Sequence, residues 1–136
     1  MKKPILALAA VLLVAACDIT DSNTFQFGFQ ATPLDQAPVS PAAATVTADP
    51  HGIIQVAGDA NTPCADQGVT MSGTRSGDEL RVEVKRSTTG ACTGGTLWYS
   101  YVVLITVSPG RVYRVVMTDF TTGNAVTVID KQVNLQ

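Results

Sequence analysis

Acid–base chemistry needs titratable groups that a fold can hold together in a cleft, and this chain offers few. His51 is its single histidine. It sits between Pro50 and Gly52 at the mouth of a strand, where a histidine reads as a solvated loop residue. Ser72, Ser76, Ser87, Ser100 and Ser108 supply hydroxyls, but none lies in a nucleophile elbow or in another recognisable catalytic context. Asp59, Asp66, Asp78, Glu79, Asp119 and Asp130 mostly fall at predicted loops or strand ends, where exported β domains sometimes hold calcium. Calcium takes about six to eight oxygens, and no run here has the spacing of a calcium loop. Gly90, Gly94 and Gly95 are not followed by a lysine or a helix, so they do not make a phosphate cradle. No catalytic residue, metal site or cofactor is expected, and the chain does not read as an enzyme. What remains is surface. Trp98 lies beside the Cys92–Gly95 loop and Phe120 at a turn. Trp98 reads either as a core residue or as the anchor of a recognition patch with Thr93, Gly94, Gly95 and Phe120, since aromatic anchors are enriched in binding hot spots.

The elements that would position these residues are strands. From Val46 onward, period-2 patterns and turn signals recur, and no stretch carries a helical stripe. Gly52–Gly58 is a short apolar strand, and Gly68–Ser72 is a weaker one. Leu80–Arg86 alternates cleanly, with Leu80, Val82 and Val84 inward and Arg81, Glu83 and Lys85 toward water. Leu97–Val107 is apolar on both faces, as a central strand covered on two sides would be. Tyr99, Tyr101, Val103, Ile105 and Val107 share one of those faces; Trp98, Val102 and Leu104 share the other. Ser108-Pro109-Gly110 has the residues of a tight turn, and Arg111–Asp119 then places Tyr113, Val115 and Met117 inward. A last strand covers Ala125–Leu135, with its pattern broken at Ile129-Asp130. The expected fold is all-β, a small single-domain β-sandwich of six or seven strands over residues 46–136. The run Pro109-Gly110-x-x-Tyr113-x-Val115 resembles a corner of immunoglobulin-like and prealbumin-like domains of secreted bacterial proteins, in which the tyrosine closes a strand after a Pro-Gly turn.

Ahead of that domain, residues 17–45 read as a tether. Asp18–Asn23 is polar, and Pro33, Pro38 and Pro41 stand among small residues that cannot bury enough apolar surface to fold. About 28 extended residues would reach on the order of 85 Å. Phe25, Phe27 and Phe29 interrupt this stretch in strict alternation. They read either as a strand packed on the domain or as an exposed aromatic segment near the membrane.

The first sixteen residues combine Lys2 and Lys3, an apolar run too short to span a bilayer, and small residues, which is the order of a secretory signal. Val14-Ala15-Ala16-Cys17 resembles the lipobox of bacterial lipoproteins, with valine where leucine is more usual. The resemblance implies cleavage before Cys17, which would then carry two or three acyl chains. At about 0.8 kcal/mol per buried methylene, those chains anchor firmly where one would not. The alternative is an ordinary signal peptide cut near Ala16. Asp18 resembles the inner-membrane retention signal of enteric bacteria, a rule other lineages do not follow, so either the cell membrane or the outer membrane fits.

With Cys17 lipidated, Cys64 and Cys92 are the remaining pair of the three cysteines. In an exported protein an even remainder reads as one disulfide. Two thiols with no histidine or further cysteine nearby make a poor zinc site, and a bridge would leave no thiol chemistry. Loss of Met1–Ala16 removes two of the nine basic residues, which face 11 acidic ones, so the net charge moves from −2 to −4. No basic stripe exists to displace counterions from nucleic acid or to dock on anionic lipid. These features together imply a lipid-anchored envelope protein, its domain facing the periplasm or exterior, that works by contact with an unidentified envelope protein or as an envelope component. The competing expectation is a ligand-binding or protease-inhibitor-like module that presents sandwich loops.

Overall fold

The structure, a computed structural model, describes residues 24–87, 92 and 94–136. The segment expected as a signal (residues 1–16), Cys17, Asp18 and Thr93 lie outside the described residues. Eight strands follow in order: β1 (Phe25–Leu34), β2 (Thr45–Asp49), β3 (Ile53–Thr62), β4 (Val69–Ser76), β5 (Glu79–Arg86), β6 (Leu97–Val107), β7 (Val112–Asp119) and β8 (Val126–Asn134). They form two four-stranded sheets, β1-β6-β3-β2 and β4-β5-β7-β8. Every neighbouring pair is antiparallel except β5 and β7, which run parallel.

The inward positions follow the alternation of the sequence. Leu80, Val82 and Val84 of β5 are buried, as are all five odd-numbered residues of β6 from Tyr99 to Val107 and Tyr113, Val115 and Met117 of β7. Together with Ile54, Val56 and Met71 they make one core between the sheets. A single shared core is what a two-layer sandwich of this size can bury, because each sheet has one face to cover.

Two turns hold one end of the sandwich. At Gly52 φ is +104°, and a Cβ there would fall on the Val107 carbonyl. The same approach lets the Val107 amide donate to the Gly52 carbonyl at 2.9 Å, so the position requires glycine. At the Ser108-Pro109-Gly110 corner, the buried Tyr113 hydroxyl donates to the Ser108 carbonyl at 2.7 Å. Nearby, the Arg75 guanidinium lies 5.5 Å from the centroid of the Tyr113 ring and donates to the Thr24 carbonyl at 2.9 Å.

Three expectations change. There are eight strands rather than six or seven, because the stretch expected as tether contains β1 and the start of β2. β1 pairs along its whole length with β6, from Phe25↔Val107 to Leu34↔Trp98. The ladder, a non-local partner, supplies what the local composition does not, and Pro33 is tolerated because β1 is an edge strand. Phe27 then closes the seam between the sheets by packing against Gly73 of β4, whose missing side chain makes the room. Ala42 is also tied down: its amide donates to Asp59 Oδ2 at 2.8 Å and its carbonyl accepts from the Asp59 amide at 2.9 Å. Finally, β6 is covered on one face only. Val102 and Leu104 are exposed, since no third layer stands over the first sheet among the described residues.

Candidate functional site

The disulfide forms at the end of the sandwich opposite Gly52 and Tyr113. Cys64 follows β3 and Cys92 lies in the loop after β5, with their Cα atoms 5.2 Å apart. The bridge therefore ties a loop leaving the first sheet to a loop leaving the second. Backbone contacts reinforce it. The Ala65 amide donates to the Gly95 carbonyl at 2.7 Å, and the Gly94 amide donates to Asp66 Oδ1 at 3.3 Å. A Cβ on Gly94 would lie 2.9 Å from the Asp66 amide nitrogen, so the two loops approach closely because that residue is glycine. Cys64 is buried and Cys92 exposed.

Trp98, expected beside this loop, and Phe120, expected at a turn, stand on different sheets. Trp98 is half-buried in β6 and sits in register between Leu34 of β1 and Asn61 of β3, on the outward face of the first sheet. Phe120 follows β7 in the second sheet, and its ring lies 5.7 Å from Lys85 Nζ, a side chain on that sheet's outer face. Trp98 thus lies outside the core between the sheets, and it and Phe120 stand on different sheets. Gly94 and Gly95 belong instead to the stapled loops.

His51 is exposed, with its Nδ1 2.6 Å from Asp49 Oδ1 and its amide donating to the same oxygen at 2.7 Å. Those hydrogen bonds, first the backbone one and then the imidazole, hold the Asp49 carboxyl below the usual carboxylate range. With 88% of its side chain open to water, the imidazole has none of the walls that tune a general base. Among the described residues, no three His, Cys, Asp or Glu side chains gather into a group that could hold a metal ion. Burial pushes the Tyr101 hydroxyl up to about 12, with negative Asp119 and Asp59 adding to it, and raises Tyr99 for the same first cause. Both are core tyrosines kept neutral.

The surface missing from the sequence reading is the outward face of the first sheet. Ile53, Val102 and Leu104 stand exposed there. Gly28, whose Cβ would meet nothing within 4 Å, opens a shallow cavity of about 240 Å³ lined by Phe29, Gln30, Val102 and Leu104. A signal for it existed. β6 is apolar on both faces, and a chain with no helical stripe has no layer with which to cover the second. At the Gly52 end lies a wider depression of about 550 Å³ that includes Phe25, Arg75 and Arg111. There Arg111 pairs with Asp78 at 3.1 Å. Comparison with the models of known families, with characterised proteins and with solved structures finds no match to this chain.

Proposed function

We propose that this protein is a lipid-anchored envelope lipoprotein, non-catalytic, whose β-sandwich faces the periplasm or cell exterior and acts by protein–protein contact or as an envelope component. The observation that carries this reading is the N-terminal order of Lys2-Lys3, a short apolar run and Val14-Ala15-Ala16-Cys17. Pairing of the other two cysteines supports it. A Cys64–Cys92 disulfide belongs to a protein that folds in an oxidising compartment, and it leaves Cys17 as the one cysteine outside the bridge. The solvated His51–Asp49 pair and the stapled loops suit a domain that presents surface rather than one that turns over substrate.

Expression in a diderm bacterium with labelled palmitate tests the reading. The wild-type protein should take up label and sediment with membranes, and Cys17→Ser should lose both. Unchanged labelling and sedimentation in Cys17→Ser would overturn the anchor. Crosslinking on the same intact cells should trap a discrete envelope partner, and contact through the Cys92–Gly95 end would favour the protein–protein form of the proposal.

A further inference from the structure

The lipoprotein reading has a geometric consequence, because the chain pairs with the fold so early. With Phe25 already in β1, only Asp18–Asn23 separate Cys17 from Thr24. At about 3.3–3.6 Å per residue, seven peptide steps reach no further than roughly 25 Å. The sandwich cannot stand clear of the lipid to which Cys17 would be attached.

Which surface meets that lipid follows from where the chain enters and from what lies beside it. Thr24 leads into the end of β1 paired with Val107, and the register sets Gln26 beside Thr106 and Gly28 beside Leu104. Across β6, Ile53 pairs with Thr106 and Gln55 with Leu104. At about 3.3 Å per residue, Leu104 and Ile53 therefore lie within roughly 10 Å, along the strands, of the level at which the chain enters β1. The outward positions around them on β1, β3 and β6 are Gln26, Gly28, Gln30, Gln55, Ala57 and Thr106, and none is charged. Carboxylates appear only at the margins of this face. One is Asp49, on edge strand β2 and directly opposite Ile53; the other is Asp59, which accepts from the Ala42 amide. The outer face of the second sheet also exposes Val112, Val126 and Val128, but it differs from the first in carrying charge. Arg81–Glu79, Lys85–Glu83 and Arg114–Asp130 ion pairs run across it, and pressing those charges into a lipid boundary would cost their hydration.

We infer, on the basis of the lipoprotein reading, that the outer face of the first sheet around Ile53, Val102 and Leu104 lies against the lipid surface that holds Cys17. The short connection keeps that surface at a high effective concentration beside the face. Gly28 leaves Val102 and Leu104 open where a side chain would have covered them. The ion-paired face is turned away, toward the aqueous compartment.

The single tryptophan allows a direct test on the full, acylated protein in phosphatidylglycerol–phosphatidylcholine vesicles with brominated acyl chains. In a Trp98→Phe background, Leu104→Trp reports the first sheet and Ser72→Trp the second. Bromolipid should quench Leu104→Trp at least about twofold more than Ser72→Trp, as expected for a face set about 5–10 Å into the interface. Native Trp98, on the same face but further from the chain entry, should fall between the two and needs no engineered side chain. Acylated protein with equal quenching at 104 and 72 would overturn the orientation while leaving the anchor intact. Protection of Leu104→Trp from aqueous quencher only at high protein-to-lipid ratio would assign the face to a second copy and also overturn it. Protein whose mass shows no acyl chains on Cys17 would remove the lipoprotein reading, and this inference with it.

Discussion

Leu104 and Glu83 occupy the same kind of position in the two sheets, yet their surroundings differ completely. Each lies outward in the middle of a central strand between two buried neighbours, Val103 and Ile105 for one, Val82 and Val84 for the other. Glu83 meets Lys85 Nζ at 2.9 Å, while Leu104 is 47% exposed without a covering layer. The inward positions on both sheets do the same job with the same residue types. Burial thus dictates one face of each strand and leaves the other free to differ, ion pairs among exposed valines on the second sheet and uncharged polar and aliphatic surface along β6 on the first.

The sharpest way to break that comparison is to move one residue along β6. Ile105→Ala should cost about 2–5 kcal/mol of stability, because the site is fully packed and leaves a cavity. Leu104→Ala next to it should change stability in solution by no more than about 0.5 kcal/mol. Both values can be read from urea denaturation of the soluble domain. Equal losses at 104 and 105 would mean that the outer face is covered in the isolated protein.

The disulfide probes whether the two sheets fail as one unit. Replacing Cys64 and Cys92 together by alanine should lower stability by about 2–4 kcal/mol, the range for a loop of this size. Unfolding should stay a single transition when followed by far-ultraviolet dichroism and by Trp98 fluorescence, since one core joins the sheets. Two separated transitions would show that the bridge, rather than the core, couples them.

The smallest effect concerns the charged face. Arg114 donates to both Asp130 oxygens at 2.8 Å, and these hydrogen bonds hold the Asp130 carboxyl below its ordinary range. A carboxylate whose folded pKa is depressed adds stability above its unfolded value, and that contribution is lost as pH falls through the folded one. Wild type should therefore lose slightly more melting temperature than Arg114→Met between about pH 5 and about pH 2, with the difference shrinking in high salt. Both side chains are solvated, so the effect is expected to be slight. Identical acid profiles for the two proteins would show that the pair contributes nothing.

Much of the sandwich was legible before its structure. Leu80, Val82 and Val84, the odd-numbered residues from Tyr99 to Val107, and Tyr113, Val115 and Met117 declare their inward face by local alternation alone, and each is buried. The Pro109-Gly110 corner and its tyrosine were equally local, as was the pairing of Cys64 with Cys92 once Cys17 was set aside. β1 was harder to place. Phe25, Phe27 and Phe29 alternate, but the glycine and glutamines beside them and the three prolines that follow look like tether. Where Trp98 and Phe120 would stand was not legible for a related reason. Trp98 follows the Cys92–Gly95 loop and Phe120 stands at a later turn, on different sheets, and sheet membership does not follow from spacing.

The sequence by itself determined the all-β class, the inward side of the central strands and the candidate disulfide. Each of these rests on residue type and short-range order. Only the tertiary structure decided that β1 joins β6, that β5 and β7 run parallel, and that the second face of β6 is left bare. Strand partners are chosen by hydrogen-bond ladders and core packing between segments far apart in the chain, so no local pattern carries that information. The same pairing reduced the stretch between Cys17 and Thr24 to six residues, and with it, on the proposed lipid anchor, the distance at which this domain can stand from a membrane.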